Sequence, residues 1–445
     1  MERSSKEHQG NIREVIHLAW PIVISMLSYT AMGVTDTLFV GWIGKAEIGA
    51  VGLATMAFFL VNSFFLGALT GVKIVSAQAT GASDARRAEQ STWQGMIVAV
   101  PFGLVVIALA GLHEIIFSAM GGTEAVCTLA GEYFVARVFS APIWYITMAI
   151  CNGMQGTGDT RTPMRINLVA NGLNIALDPM FIFGFGPIPA MGVTGAGIAT
   201  VLACAGGMVM SLVIHSRQHG LWPRFEREVM KRMLSLGLPT GVRFFLEVGG
   251  WVFFTSILSR MGENELAANQ IAISIIKVSF LPGYAISDAA CILAGNYFGA
   301  GNFHGVRKSF QASMKVAIAV MAFFGLLFWI LPELFLRCFQ DDPAVIEIGC
   351  ELLLVAAVFQ IFDAIAMVAT GTLNGVGDTR YTMYISVLAA WLVLVPLAYF
   401  FGVTLGWGAL GAWLGITGQV VALSIVLTWR FYTNGWRKAC EPCLA

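Results

Sequence analysis

From Val15 to Trp429 the chain is a succession of apolar stretches. Each is long enough to cross a hydrocarbon core about 30 Å thick, which takes roughly 20 helical residues. They fall at 14–39, 47–76, 91–112, 130–154, 163–184 and 192–215, and again at 234–260, 266–294, 309–331, 349–373, 382–403 and 408–430. The pattern predicts an all-α integral membrane protein with twelve transmembrane helices, because helices satisfy their own backbone polar groups in lipid. Little chain is left for a soluble domain.

The polar punctuation between the stretches is asymmetric. Of the 26 Lys and Arg, eighteen fall in the tails and alternate loops, Arg86, Arg87, Arg161 and Arg380 among them. Three (Lys45, Arg260, Arg337) fall in the opposite loops, and five (Lys73, Arg137, Arg243, Lys277, Lys315) lie inside spans or at their ends. Cations near span ends stay on the cytoplasmic side, so a multi-pass protein of the cytoplasmic (inner) membrane with both termini cytoplasmic is expected. The charged N-terminus runs directly into a full-length span containing Pro21, without a short apolar region and cleavage site, and is expected to be retained.

The second six stretches repeat the first. Gly44–Ala50 is answered by Gly262–Ala268, an offset of 218 residues, and Pro21 by Pro239. Gln78 and Gly81–Asp84 are answered at the same offset by Asn296 and Gly299–Asn302. Gly156–Arg161 (Gly-Thr-Gly-Asp-Thr-Arg) returns one residue out of register as Gly375–Arg380, with Met164 and Met383 three residues further on. These pairs predict an N-lobe at 1–215, a cytoplasmic amphipathic linker helix at 216–233 carrying five cations and Trp222-Pro223, a C-lobe at 234–430 and a tail at 431–445. An even number of spans per repeat makes the two six-helix lobes parallel copies, related by a pseudo-two-fold along the membrane normal, an architecture suited to alternating access. The Gly-Asp-Thr-Arg copies read as a turn followed by a helix cap.

Composition narrows the class. With 57% hydrophobic and 12% charged residues, against about 25% charged in soluble chains, a soluble globule is excluded. The net charge of zero hides the asymmetry of the cations and decides nothing about partners, but no basic patch suggests a nucleic-acid surface. Eight Cys are scattered, and the one close pair, Cys440 and Cys443, is too small a ligand set for a metal and reads as tail. His8, His17, His113, His215, His219 and His304 lie in tails, loops or span ends. With no nucleophile, acid–base constellation or filter motif, neither an enzyme nor a channel is expected, and no cofactor.

The chemistry must then lie in charges kept inside the membrane, where a carboxylate at the centre of a span costs about 2.5 to 3.5 kcal/mol. Asp36 of the first span lies either in a site or simply near the outer surface. Asp178 of the fifth stacks with Asn174 at i, i+4, which serves either an oxygen-lined cation or proton pocket or a plain interhelical hydrogen bond. If Asp36 and Asp178 face each other, two carboxylates held close would take up a proton or share a Na⁺. Glu247 of the seventh span has Arg243 about one turn before it, so a site and a salt bridge are both open readings. Asp363 of the tenth has no basic neighbour within a turn. Lys277 and Asp288 of the eighth share a face three turns apart and would each neutralise a charge on another helix. Pro21, Pro142, Pro239, Pro282 and Pro396 are expected to bend their spans. The 20 Met and 12 Trp would suit a broad pocket for flat aromatic cations, though most must be packing or interfacial anchors.

On these residues the chain resembles the multidrug and toxic compound extrusion family, bacterial type, along nearly its whole length. The likeness rests on Pro21 with Asp36–Gly41 and Ile48–Ala54, on Gln78–Asp84 and Gly156–Arg161, on Asn174–Gly184 and Met191–Thr200, and on Pro239–Glu247 and Ala268–Ile271. It implies an exporter, seated in the lipid bilayer, of organic, often cationic and aromatic, small molecules, driven by H⁺ or Na⁺; a monomer without a protein partner is the default expectation. It also implies roles: Asp36, Asn174 and Asp178 in an N-lobe cation site, Glu247 and Asp363 in a C-lobe one. The chain departs from the family pattern at Arg243, Lys277, Asp288 and Asn296. The alternative is a lipid-linked precursor flippase or metabolite exporter of the same superfamily. A flippase would be expected to show a cationic cavity for a pyrophosphate, whereas here interior carboxylates rival the cations.

Overall fold

The computed structural model describes residues 10–121, 123–220 and 225–440. These are helical almost throughout, with an isolated bridge between Phe185 and Ile188 in a loop. The first half comprises α1 (Ile12–Gly41), α2 (Lys45–Gly81), α3 (Ala85–Ala108) leading through a 3-10 turn into the short α4 (His113–Ala119), α5 (Glu124–Val138), α6 (Ser140–Gly156), α7 (Arg161–Ile182) and α8 (Gly192–His219). The second comprises α9 (Arg227–Leu258), α10 (Glu263–Gly299), α11 (Phe303–Ile330), the short α12 (Pro332–Arg337), α13 (Pro343–Val376), α14 (Thr379–Ala389), α15 (Val395–Tyr399), α16 (Gly408–Tyr432) and the short α17 (Gly435–Cys440).

Among the described residues, ten helical stretches are long and apolar enough to span a membrane alone, counting α14 and α15 as one, and the pair α5 and α6, bent by 45°, makes an eleventh. The twelfth expected span is α7. Its 22 residues extend about 33 Å at 1.5 Å each, long enough to cross, but Asn167, Asn171, Asn174 and Asp178 make it too polar to stand out by hydropathy. Large apolar side chains such as Leu104, Val105, Phe323, Leu326 and Trp329 are left exposed, as expected of helices solvated by lipid tails rather than water.

Three expectations are modified. The eleventh stretch is not a simple α-helix: it widens into π-turns at Ala390–Leu394 and Phe400–Thr404 on either side of α15. Pro396 has no amide hydrogen for the carbonyl of Leu392, four residues earlier, so the α pattern cannot run through. The linker forms no separate amphipathic helix, since residues 216–219 end α8 and 227–233 open α9. Trp222-Pro223 lies outside the described residues. The Gly-Asp-Thr-Arg copies both turn on a left-handed glycine, Gly158 at φ +93° and Gly377 at φ +97°, but then diverge. Asp159 Oδ1 accepts from the amides of Arg161 and Thr162 at 3.1 and 3.0 Å, capping α7. Asp378 makes no such cap and pairs instead with Arg430 Nε of α16 at 2.9 Å.

The chain divides into two compact units, one of residues 24–76 and 84–241, the other of 1–23, 77–83 and 242–445. In the first, α3 packs on α6, α6 on α8 and α7 on α8; in the second, α11 packs on α13, α13 on α16 and α15 on α16. The sequence repeat is thus a repeat of packing. Each unit has its own aromatic-rich core, around Phe58, Phe65, Phe134 and Tyr145 in one and Phe254, Phe328, Phe359 and Trp413 in the other. In the first unit α2 and α9 cross through glycines spaced four apart on both helices, Gly67 and Gly71 against Gly237 and Gly241. A Cβ on Gly71 would meet the Met233 carbonyl, and one on Gly237 the Ala68 carbonyl, so this approach requires residues without side chains.

Candidate cation-coupling site

The polar residues of α7 recur at 167, 171, 174 and 178, steps of three and four that place them along one face. The upper part of this stripe is directed at α1. Asn171 Nδ2 donates to Ser28 Oγ at 2.7 Å, and two turns further along both helices Asp178 faces Asp36 closely enough for a shared proton to join them. The parallel course of the two helices keeps the pairs in step: seven residues separate Asn171 from Asp178, and eight separate Ser28 from Asp36.

Asp36 is 6% exposed, and Asn174 and Asp178 are fully buried. Asn174 Nδ2 donates to Asp178 Oδ1 at 3.2 Å and to Thr200 Oγ1 of α8 at 3.4 Å, while the Thr200 hydroxyl donates to the Ala196 carbonyl at 2.9 Å. That leaves three buried oxygens without a hydrogen-bond partner: Asp36 Oδ1, Asn174 Oδ1 and Asp178 Oδ2. Pro179 adds a fourth acceptor nearby, because its missing amide hydrogen leaves the Ile175 carbonyl without its helical donor. Buried acceptors without donors are costly, and a proton or a small cation would relieve that cost. The expected grouping of Asp36, Asn174 and Asp178 is therefore present as a physical cluster.

Two neighbours were not singled out from the sequence. Thr200 orients Asn174, but nothing in its spacing from Asp178 points to it. Arg137, at the end of α5, is 6% exposed and lies within electrostatic reach of both carboxylates. It was visible as a charge inside a span, but the bend between α5 and α6 hides its depth from any straight-helix reading.

The second unit is arranged differently. Glu247 is paired with Arg243, Nη1 to Oε1 at 3.4 Å, with 24% and 11% of their side chains exposed. Tyr284 of α10 lies within electrostatic reach of this pair and of Asp288. Lys277 is exposed. Asp363 is half-buried and, among the described residues, makes no hydrogen bond or ion pair. Three residues before it, Gln360 Nε2 donates to Ser279 Oγ at 2.6 Å. Glu247 and Asp363 are not brought together by any hydrogen bond or ion pair among the described residues.

A repeated bundle of membrane helices with an acidic cluster buried among them is the architecture of a secondary membrane transporter. The chain belongs to the MatE family, whose sequence pattern matches it twice, at residues 21–180 and 239–400. The two matches begin at Pro21 and Pro239, at the offset of the internal repeat. A protein of Thermotoga maritima described as "Probable multidrug resistance protein NorM" is 30% identical over 441 residues, covering 97% of this chain and 95% of that one. A protein of Pseudomonas aeruginosa with the same description is 29% identical, covering 96% and 90%. Among solved structures, "Outward-facing conformation of a multidrug resistance MATE family transporter of the MOP superfamily" superposes with a TM-score of 0.88 at 22% identity over 98% of this chain and 100% of that one. A Pyrococcus furiosus protein titled as a MOP superfamily transporter with a binding pocket of reverse polarity does so with 0.88 at 22%, over 97% and 98%. The two-lobe transporter fold is thereby established.

Proposed function

We propose that the protein is a multidrug efflux antiporter of the cytoplasmic (inner) membrane. It works as a monomer with both termini cytoplasmic, expelling organic, often cationic and aromatic, compounds in exchange for H⁺ or Na⁺. One observation carries the reading: Asp36, Asn174 and Asp178 meet inside a unit of membrane helices with three oxygens left without donors. Taking up a cation there changes the charge of the unit's interior, and a cation that binds one conformation better shifts the transporter toward it. The internal repeat supports alternating access as the route, and the descriptions of the relatives support drugs as the cargo. Asp363, in the second unit, is a third carboxylate available to take part.

The test is ethidium efflux from proteoliposomes under an imposed pH or Na⁺ gradient, for wild type, Asp36→Asn, Asp178→Asn and Asp363→Asn. Gradient-driven efflux is expected for wild type and should be abolished in Asp36→Asn and Asp178→Asn while both remain inserted. Wild-type rates in those two variants would remove the coupling role of the pair. Absence of efflux under either gradient would point to a lipid or metabolite substrate instead.

A further inference from the structure

Arg137 is a permanent charge at the buried pair, and its surroundings are not those of an ordinary structural arginine. Its Nη1 donates to the Tyr133 hydroxyl of its own helix, and at 3.4 Å to Thr55 Oγ1 of α2. Its guanidinium stacks over the Phe58 ring, 4.8 Å from the centroid. Its Nε is buried without a partner. The titratable groups that face it are Tyr133 from α5, Tyr29 and Asp36 from α1, Asp178 from α7 and Cys204 from α8. The two aspartates are the only carboxylates in that set. No carboxylate forms a close ion pair with the guanidinium among the described residues, so its charge acts on Asp36 and Asp178 through space.

We propose that Arg137 is the fixed counter-charge of the Asp36–Asp178 pair and makes the pocket selective for a proton by keeping Na⁺ out. Two ionised carboxylates and one guanidinium carry a net charge of −1, so a single monovalent cation completes the pocket and a second is repelled. The two candidate cations differ in what else they need. A proton is held between two carboxylate oxygens as a hydrogen bond and requires no further ligands. Na⁺ requires several oxygens around it, and a guanidinium has five N–H donors and no acceptor. It therefore offers Na⁺ no ligand, and its charge repels the ion through a low-dielectric interior. This choice of ion rests on the antiporter reading above, whereas the counter-charge itself is a property of the pocket that can be measured without transport.

The experiment is thermal unfolding of the purified full-length protein at pH 8, in NaCl against equimolar choline chloride, for wild type, Arg137→Gln, Arg137→Lys and Asp178→Asn. An ion that binds the folded state stabilises it by RT ln(1 + L/Kd), where L is its free concentration, and so raises the midpoint as that concentration exceeds Kd. Wild type and Arg137→Lys should show no Na⁺-specific shift. Arg137→Gln, which leaves two carboxylates to one site, should gain a shift that grows with Na⁺ concentration and is lost again when Asp178→Asn is added. A Na⁺ shift in wild type that disappears in Asp178→Asn overturns the proposal, as does an Arg137→Gln protein as indifferent to Na⁺ as wild type. If Arg137→Gln cannot be purified, the comparison of wild type with Asp178→Asn still decides. A failure of proteoliposomes to export ethidium would count against the antiporter reading and leave this result untouched.

Discussion

Asn171 and Ser28 are joined by a 2.7 Å hydrogen bond that sets the register of α7 against α1, and that register brings Asp178 opposite Asp36. The bond is therefore a positioning element for the acidic pair, placed two turns away from it. Interhelical hydrogen bonds between membrane helices contribute on average about 0.6 kcal/mol, too little to hold the bundle together, yet enough to select one register.

Asn171→Leu should consequently lower unfolding stability by only about 0.6 kcal/mol while weakening ion-driven efflux well beyond what that loss explains. Asn171→Ser, which keeps a short hydroxyl donor, should recover part of the activity. Stability equal to wild type together with undiminished efflux in Asn171→Leu would show that the register is fixed elsewhere.

Thr200 acts one step removed from the pair, by accepting from Asn174 Nδ2. Thr200→Val keeps the shape and removes the hydroxyl, which frees the amide to rotate away from Asp178. The loss of a neutral hydrogen bond of roughly 1 kcal/mol predicts about a five-fold reduction in apparent affinity for the coupling cation. It should appear as a shifted dependence of efflux on the driving gradient, with the maximal rate retained. A fall in maximal rate with no shift would place Thr200 in the substrate path instead.

The second unit makes a sharper distinction, because Glu247 already has a partner in Arg243, whereas Asp363 has none among the described residues. Asp363→Asn is expected to impair transport, and Glu247→Gln is expected to act chiefly on stability. Neutralising Glu247 strands an arginine that is 11% exposed. Partial exposure reduces the penalty of a broken buried pair to about 1–2 kcal/mol. The double variant Arg243→Gln/Glu247→Gln should regain most of that loss in a thermal unfolding series. Glu247→Gln that folds normally but cannot couple would reverse the assignment.

Much of this was legible in the sequence, and the exceptions have physical causes. The span positions, the repeat and the pairing of Asn174 with Asp178 follow from apolar length and from i, i+4 geometry, which survive any tertiary arrangement. Arg137 and Thr200 were not assigned because their roles depend on which helices pack together, and no spacing along one helix records that. The continuous linker helix failed because cations near a membrane surface suit the ends of two long spans as well as a separate amphipathic segment. Glu247 and Arg243 were recognised as either a site or a salt bridge, and only the side-chain placement decides between them.

The two Gly-Asp-Thr-Arg motifs show how identical sequence can acquire unequal weight. Asp159 caps α7 through backbone amides, a task that Asn performs about as well as Asp, so Asp159→Asn should change stability by less than about 0.5 kcal/mol. Asp378 is 5% exposed and holds Arg430 Nε at 2.9 Å, while that guanidinium lies over the Tyr381 ring at 4.4 Å. Asp378→Asn removes one partner of the ion pair and leaves an arginine that is 23% exposed uncompensated, which costs about 1–2 kcal/mol after solvent screening. The pair of variants, compared by thermal unfolding in the same detergent, separates the readings. Equal effects would mean that the motif is used as a turn and cap in both halves, and that the ion pair to Arg430 adds nothing to the stability of the second unit.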